Sequence, residues 1–499
     1  MPTVNIQKFN GGHAESIRTF ATNQSEYSKN FDIFSDEHYL LPYPDTVTET
    51  MVSGTITDYK LTDVISDINI LDGDTLIALG QAGVADTNLK FFSKDTLTEG
   101  WTNRAERSSG SVKSNTLIGY TGLAYALEQS GADITLLELT DATTITSKGI
   151  ITGVSNACKP FVHPGTGFMY IGTDNVISVW TGSALTSYNG ILPTNLRITS
   201  ITNYGTYLVV ATRPVNGFDR SIAFIINPSN LALNSTAAIS NLVDFGKGNL
   251  NVLENLGDIL IGVSTANTTT TVIDNKLSVK AWAGGEVETI KEVDIDSTIG
   301  ISPIILKAKV KQKLYFALST DDCIWVFGKN KDGVWTLSKD KYVVNGTAVT
   351  AITGLSILND IMWVGFSTAG ISNGFYRTVF STASPSSDYT ATCIYRTTIN
   401  PNMFAEDRYK HKQLRAVQIS YTGATTGTTV LKYSVDGSAM TTIISSTNAT
   451  GEHTVEATNE NTDSLPLLSG REFQFQIEST GKSKVKEIKY KYDILNSTI

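Results

Sequence analysis

Five histidines, three cysteines and 48 acidic residues are the groups in this 499-residue chain that could bind a metal, act as a nucleophile or move a proton. His13, His38, His163, His411 and His453 stand apart, and none shares a zinc-binding spacing with another His or Cys. Cys158, Cys323 and Cys393 are isolated and odd in number, which argues against a disulfide framework. No nucleophile turn, P-loop or dinucleotide fingerprint is found at a strand-to-helix junction. A glycosidase needs two carboxylates flanking the scissile bond. Asp321 with Asp322, or Glu286 with Glu288, could be such a pair, but nothing marks either above the other acids. The nearest approaches to a Ser-x-Asp-x-Gly-x-x-Trp turn are Asn330-Lys-Asp-Gly-Val-Trp335, which lacks the serine and reads as a hairpin turn before a packed tryptophan, and Ser434-Val-Asp-Gly437. No catalytic residue, cofactor-binding residue, metal ligand or cofactor is assigned.

Basic residues cluster in Arg408-Tyr-Lys-His-Lys-Gln-Leu-Arg415 and in Lys482-Ser-Lys-Val-Lys486, continuing to Lys489 and Lys491. One reading is an anion or nucleic-acid surface. The alternation of Lys489 and Lys491 with Tyr490 and Tyr492 favours another, the solvent face of a strand whose lysines deter stray pairing at an edge. The formal charge of −9 argues against holding nucleic acid by neutralising phosphates, so no specific nucleic-acid partner is expected. A neutral surface past which DNA slides stays open.

These residues sit among short apolar runs that recur along the chain, each entered from a turn or polar residue and closed by a small one. The runs are Asp74-Thr-Leu-Ile-Ala78, Gly122-Leu-Ala-Tyr-Ala126, Gly167-Phe-Met-Tyr-Ile-Gly172, Gly205-Thr-Tyr-Leu-Val-Val-Ala211, Asp258-Ile-Leu-Ile-Gly262, Lys313-Leu-Tyr-Phe-Ala317 and Asp360-Ile-Met-Trp-Val-Gly365. Successive small residues lie 39 to 55 positions apart, the spacing of four-stranded propeller blades. A second β-rich segment follows each marker, as in Asn175-Val-Ile-Ser-Val-Trp180 or Cys323-Ile-Trp-Val-Phe327. In a propeller, small residues at a fixed inner-strand position would let neighbouring sheets approach. The expected fold is all-β, a seven-bladed β-propeller over 53–385 followed by a C-terminal antiparallel β-sandwich; a pair or chain of β-sandwiches is the alternative.

Residues 1–52 fall outside the repeat and form an N-terminal arm, either closing the propeller with a strand or simply connecting. After Ser384-Pro-Ser-Ser-Asp388 the pattern becomes a clean alternation, with Tyr389, Ala391, Cys393 and Tyr395, then Val417, Ile419 and Tyr421, and later Phe473, Phe475 and Ile477. Period-two runs mark half-buried antiparallel strands, so 389–499 is expected to be the sandwich. Tyr421, Tyr433, Phe475 and Tyr490 are expected in its core. A low charged fraction of 17% fits a strand-rich chain. Met1 to Asn10 lacks the features of a signal peptide and no run approaches the length of a membrane span, so synthesis in a cytoplasm without membrane insertion is expected.

The two termini resemble tailed-bacteriophage virion proteins. At the C-terminus the resemblance, to terminal β-sandwich domains, rests on Lys412-Gln-Leu-Arg-Ala-Val-Gln-Ile-Ser-Tyr421, Thr429-Val-Leu-Lys-Tyr-Ser-Val-Asp-Gly437, Gly470-Arg-Glu-Phe-Gln-Phe-Gln-Ile-Glu478 and Glu487-Ile-Lys-Tyr-Lys-Tyr492. Phe9-Asn-Gly-Gly12, Asn23-Gln-Ser-Glu26 and Asn30-Phe-Asp32 look like the start of tail-tube or nozzle-type propeller proteins. The resemblance implies a structural virion component, in the tail or portal-proximal assembly, whose partners are copies of itself and other virion proteins. The alternative is a receptor- or glycan-binding propeller with a site rimmed by aromatic loop residues such as Tyr188, Trp282 or Trp335; a glycan-processing enzyme is a further option.

Overall fold

The computed structural model describes residues 2–7, 25–29, 31–32, 41–42, 47–48, 59–65, 76–82, 89–95, 100–107, 116–141, 143–215, 220–265, 276–295, 306–318, 323–341, 343–344, 347–348, 351–358, 361–367, 374–379, 392–423, 427–447, 450–459, 465–466, 468–481 and 483–495. The fold is all-β: among these residues the only helical pieces are the 3-10 turns Pro228–Leu233, Thr236–Ala238 and Ala405–Asp407. The chain divides into two bodies, Val47–Asp322 with Val343–Arg377, and Met1–Thr46 with Cys323–Tyr342 and Thr378–Ile499.

The first body repeats one unit, a four-stranded antiparallel sheet with strands in sequence order, which is the unit of a β-propeller. Such sheets span 59–107, 117–152, 161–188, 196–247 and 249–294. The hairpin Leu306–Val310 with Lys313–Ala317 follows. A sixth sheet is built from Ala351–Leu358, Ile361–Ser367 and Gly374–Val379, and its fourth strand is Val47–Thr48 from the N-terminal segment, pairing Thr48 with Tyr376 and Val47 with Arg377. Tight turns hold the strands in register: Thr121 and Gly122 both adopt positive φ, 51° and 76°, at the two-residue hairpin between Leu117–Tyr120 and Leu123–Ser130.

Apolar layers between adjacent sheets form the core. Alternate residues of one strand serve opposite layers: Leu208 and Val210 pack with Tyr170, Ile177 and Val179 of the preceding sheet, whereas Val209 and Ala211 pack with Leu250, Leu253 and Leu260 of the following one. A strand buried on both faces needs apolar residues at consecutive positions, which is why these runs read as continuous rather than alternating. Each layer hides from water what one sheet alone would expose, at roughly 25 cal/mol per Å² of apolar surface.

All seven small marker residues are buried, and each lies on the second strand of its unit. They do not share one facing direction. Ala126 packs toward the preceding sheet, Ala211 toward the following one, and a Cβ on Gly172 would come within 2.5 Å of Ile198 Cγ2 in the following sheet. One residue of slip along a strand exchanges its faces, so a marker fixed by sequence spacing stays buried while its partner changes. The strands nearest their counterparts in neighbouring units are the first strands: Leu196–Tyr204 packs on Asn249–Asn255, Leu306–Val310 on Ala351–Leu358, and Ala351–Leu358 on Tyr59–Ile65. The inner position expected for the marker strand thus belongs to the strand before it.

The second body contains two large sheets, antiparallel apart from the parallel pairing of Ser28 with Asp340. One orders Thr3–Ile6, Lys484–Ile494, Lys412–Gly423 and Gly451–Thr458. The other includes Ser25–Lys29, Cys393–Thr397, Phe473–Ser479, Thr428–Val435 and Thr441–Thr447. Tyr421, Tyr433, Phe475 and Tyr490 are buried, and the Phe475 ring lies 4.9 Å from that of Tyr490, joining the two sheets. The N-terminal segment therefore supplies strands to this body as well as to the sheet at Gly374–Val379. The sequence boundary at 389 misses these pieces, because strands of two to five residues are too short to display a period. Lys484–Ile494 is not an edge strand as the lysine pattern suggested; Thr3–Ile6 covers it, with Val4 and Ile6 buried.

Enlarging a marker should be costly. A Cβ on Gly262 would lie 2.6 Å from Phe245 Cε1 and 2.8 Å from Leu250 Cδ1, so Gly262→Leu should lose at least about 1–3 kcal/mol. Urea unfolding checks this; a wild-type midpoint would show that the inter-sheet layer has room to spare. Phe475→Ala should cost about 3–5 kcal/mol in the second body, read by the same method.

Candidate functional site

First strands of neighbouring units bring together a charged network that no sequence spacing announces. Lys307 Nζ donates to Ser200 Oγ at 2.8 Å, to the Leu253 carbonyl at 2.9 Å and to Glu254 Oε2 at 2.9 Å. Its three N–H groups thus have three acceptors. Glu254 Oε1 accepts from Thr202 Oγ1 and from the Asn255 amide, each at 3.2 Å. Lys309, two residues along the same strand, donates to the Asn255 carbonyl and holds its ammonium 3.8 Å from Glu254 Oε1. The Lys307 and Glu254 side chains are only 15% and 13% exposed, so the pair and its neighbouring polar groups replace most of the water each charge has lost.

Beside this network opens a cleft of about 260 Å³. Lys159, Glu254, Lys307 and Lys309 supply its charges, and Phe161, Ile201, Ile357 and Leu358 are among its apolar walls. Cys158, next to the cleft's Lys159, is buried and its thiol is pushed up to about 11 by desolvation, so it is no nucleophile at neutral pH.

The residues weighed from sequence are not assembled into a catalytic centre. His13 and His38 lie outside the described residues, as do Asp321 and Asp322. His163 is buried, accepting at Nδ1 from the Gly165 and Thr166 amides, each at 3.2 Å, and burial holds its pKa below the usual value. His411 is exposed, and His453 stacks on Tyr421 at 5.3 Å. Among the described residues no three His, Cys, Asp or Glu side chains converge as metal ligands. Glu286 and Glu288 are exposed. Asn330 to Trp335 forms a hairpin connection, Lys329 pairing with Trp335, whose ring stacks on Phe327 at 5.1 Å. One pattern escaped the sequence reading: Gly370-Ile-Ser-Asn-Gly374 has nucleophile-turn spacing. Strands precede and follow it, Ile361–Ser367 and Gly374–Val379, so it lacks the helix such a turn opens.

The aromatic residues considered for a binding rim lie in strands. Trp282 is buried, donating from Nε1 to the Gly285 carbonyl at 2.8 Å and packing on Tyr204. Tyr188 is half-buried against a core layer. The basic cluster is largely neutralised from within. Lys410 pairs with Asp407 at 3.0 Å and Arg415 with Asp493 at 2.7 Å, while Lys489 pairs with Glu487 at 2.9 Å. Lys412 is buried, its ammonium within 2.7 to 3.1 Å of the carbonyls of Asp407, Arg408, Lys410 and Arg471. It anchors the 400–411 loop from below.

No protein-family model matches the chain, and no curated protein matches it. Solved structures similar to it include the β-propeller domain of Cps50 (Swd1) from Myceliophteria thermophila, at 12% identity and a TM-score of 0.44, covering 67% of this chain and 100% of that one. No helix among the described residues is long and apolar enough to cross a membrane.

Two measurements test this electrostatic account. Glu254→Gln leaves Lys307 buried without its counter-charge, and loss of one partner from a buried pair typically costs about 3–5 kcal/mol; unchanged urea stability would contradict the pairing. Desolvation lowers the Lys412 ammonium to about 8, below the ordinary lysine value of roughly 10.4, with Asp407, Asp436 and Glu472 pulling the other way. Between those pH values the unfolded chain binds more protons than the folded one, so this group makes stability rise with pH from 8 toward 10. Lys412→Met should flatten that rise in urea midpoints; an unchanged slope would place the titration elsewhere.

Proposed function

We propose that the chain is a seven-bladed β-propeller followed by a C-terminal antiparallel β-sandwich, and that it serves as a structural component of a tailed-phage virion, in the tail or portal-proximal assembly. Seven markers on second strands support the blade count, with the 306–317 hairpin carrying the sixth. Neighbour contacts also run from the 59–107 sheet through each unit in turn and back from Ala351–Leu358 to Tyr59–Ile65. Two sheets joined through Phe475 and Tyr490 support the sandwich.

The virion role is carried chiefly by one observation. The opening and closing segments that resemble phage virion proteins belong to one body: Ser25–Lys29 pairs with Cys393–Thr397, which pairs with Phe473–Ser479. A module formed from both ends of a chain and fixed by backbone pairing is suited to rigid contacts with copies of itself and with other virion proteins, and a closed propeller leaves few free edges for unwanted pairing.

The test is location. Mass spectrometry of purified particles should find the protein, and electron microscopy should place it in the tail or beside the portal. Its absence from mature particles, together with glycan binding or cleavage by the purified chain, would favour the receptor-binding or enzymatic alternative.

A further inference from the structure

We propose that the cleft beside the Lys307–Glu254 pair is a binding site for an anionic group, a carboxylate or phosphate, carried on a short apolar stem. Three amines, Lys159, Lys307 and Lys309, and one carboxylate, Glu254, line it, whereas the chain as a whole carries 48 acids against 39 bases. The local charge is the reverse of the global one, which concentrates anions at this point of the surface.

The one carboxylate among the described lining residues is already engaged. Glu254 Oε2 accepts from Lys307, and Oε1 accepts from Thr202 and the Asn255 amide. Lys307 has committed its three donors to Ser200, Leu253 and Glu254. Lys309 differs: its side chain is 39% exposed, it reaches Glu254 only at 3.8 Å, and its donation to the Asn255 carbonyl leaves two of its three N–H groups for an incoming group. An entering anion would meet Lys309 at the open side, over the rigid platform that the Lys307–Glu254 pair provides. Apolar walls of Phe161, Ile201, Ile357 and Leu358 face the same space and would cover the stem. About 260 Å³ is slightly below the usual range for small-molecule pockets, roughly 300–1,000 Å³, which selects a fragment-sized group rather than a polymer.

The same chemistry could come from a free metabolite bearing a phosphate or from an acidic side chain of a docked protein. Titrations of the full-length protein with phenyl phosphate and with phenylacetate, followed by calorimetry and by ligand NMR line broadening, separate phosphate from carboxylate preference. Benzyl alcohol is the neutral reference. At least one anion should bind tenfold or more tightly than benzyl alcohol, and Lys309→Gln should weaken that binding at least tenfold while leaving the urea midpoint near wild type. Lys491→Gln, on a strand of the other body, should leave it unchanged. Should Lys309→Gln alter folding, Lys159→Gln provides the same test at another lining residue. Equal binding of the anions and benzyl alcohol, or anion binding indifferent to both cleft substitutions, would overturn the proposal.

Discussion

A ring of sheets must join its last member to its first, and here that junction buries a cation among aromatic rings beside the packed first strands. Lys94, 1% exposed, places its ammonium 4.7 Å from the Trp101 ring centre and 4.8 Å from that of Trp363. Trp101 meets Trp363 edge-on at 5.6 Å and Phe375 at 6.0 Å, and Phe375 also meets Phe92 at 5.5 Å. Lys94, Phe92 and Trp101 belong to the first sheet or its connections, and Trp363 and Phe375 to the sheet that Val47–Thr48 completes. Large aromatic surfaces supply burial, and desolvation strengthens the attraction between the cation and the ring faces.

Backbone pairing and side-chain packing therefore act at the same seam. The fourth strand of the last sheet comes from residues ahead of the first sheet, so the two ends of the repeat are held by hydrogen bonds as well as by the aromatic cluster. Elsewhere the units meet through apolar layers, and the Lys307 ammonium that enters between them is met by three acceptors. An unmatched charge there would oppose the close approach of first strands that the architecture requires.

Much of this order was legible in the sequence, for identifiable reasons. Strands buried on both sides read as consecutive apolar residues, and the crowding between sheets leaves a small residue at each repeat, from Ala78 to Gly365. The direction each marker faces was not legible, because spacing that scatters between 39 and 55 residues does not fix a strand to the nearest residue. The alternation that located Tyr421, Phe475 and Tyr490 could not reveal Thr3–Ile6, whose four residues gain meaning only beside Lys484–Ile494. The cleft was hidden more deeply. Lys307 and Glu254 are 53 positions apart and on different units, and neither belongs to a motif; only the folded arrangement makes them partners.

The most direct test of the account is a covalent one at the closing strand. Directly opposed residues of an antiparallel pair have Cα atoms about 4.5–5.5 Å apart, within the span a disulfide bridges. The pair Val47 and Arg377 is so opposed, and the three native cysteines are buried. Val47→Cys combined with Arg377→Cys should, on mild oxidation of the folded protein, give an intramolecular disulfide seen as a mobility shift without reductant and as a higher urea midpoint, neither of which the single substitutions produce. Failure of a folded double variant to cross-link would contradict closure of the propeller by its N-terminal segment.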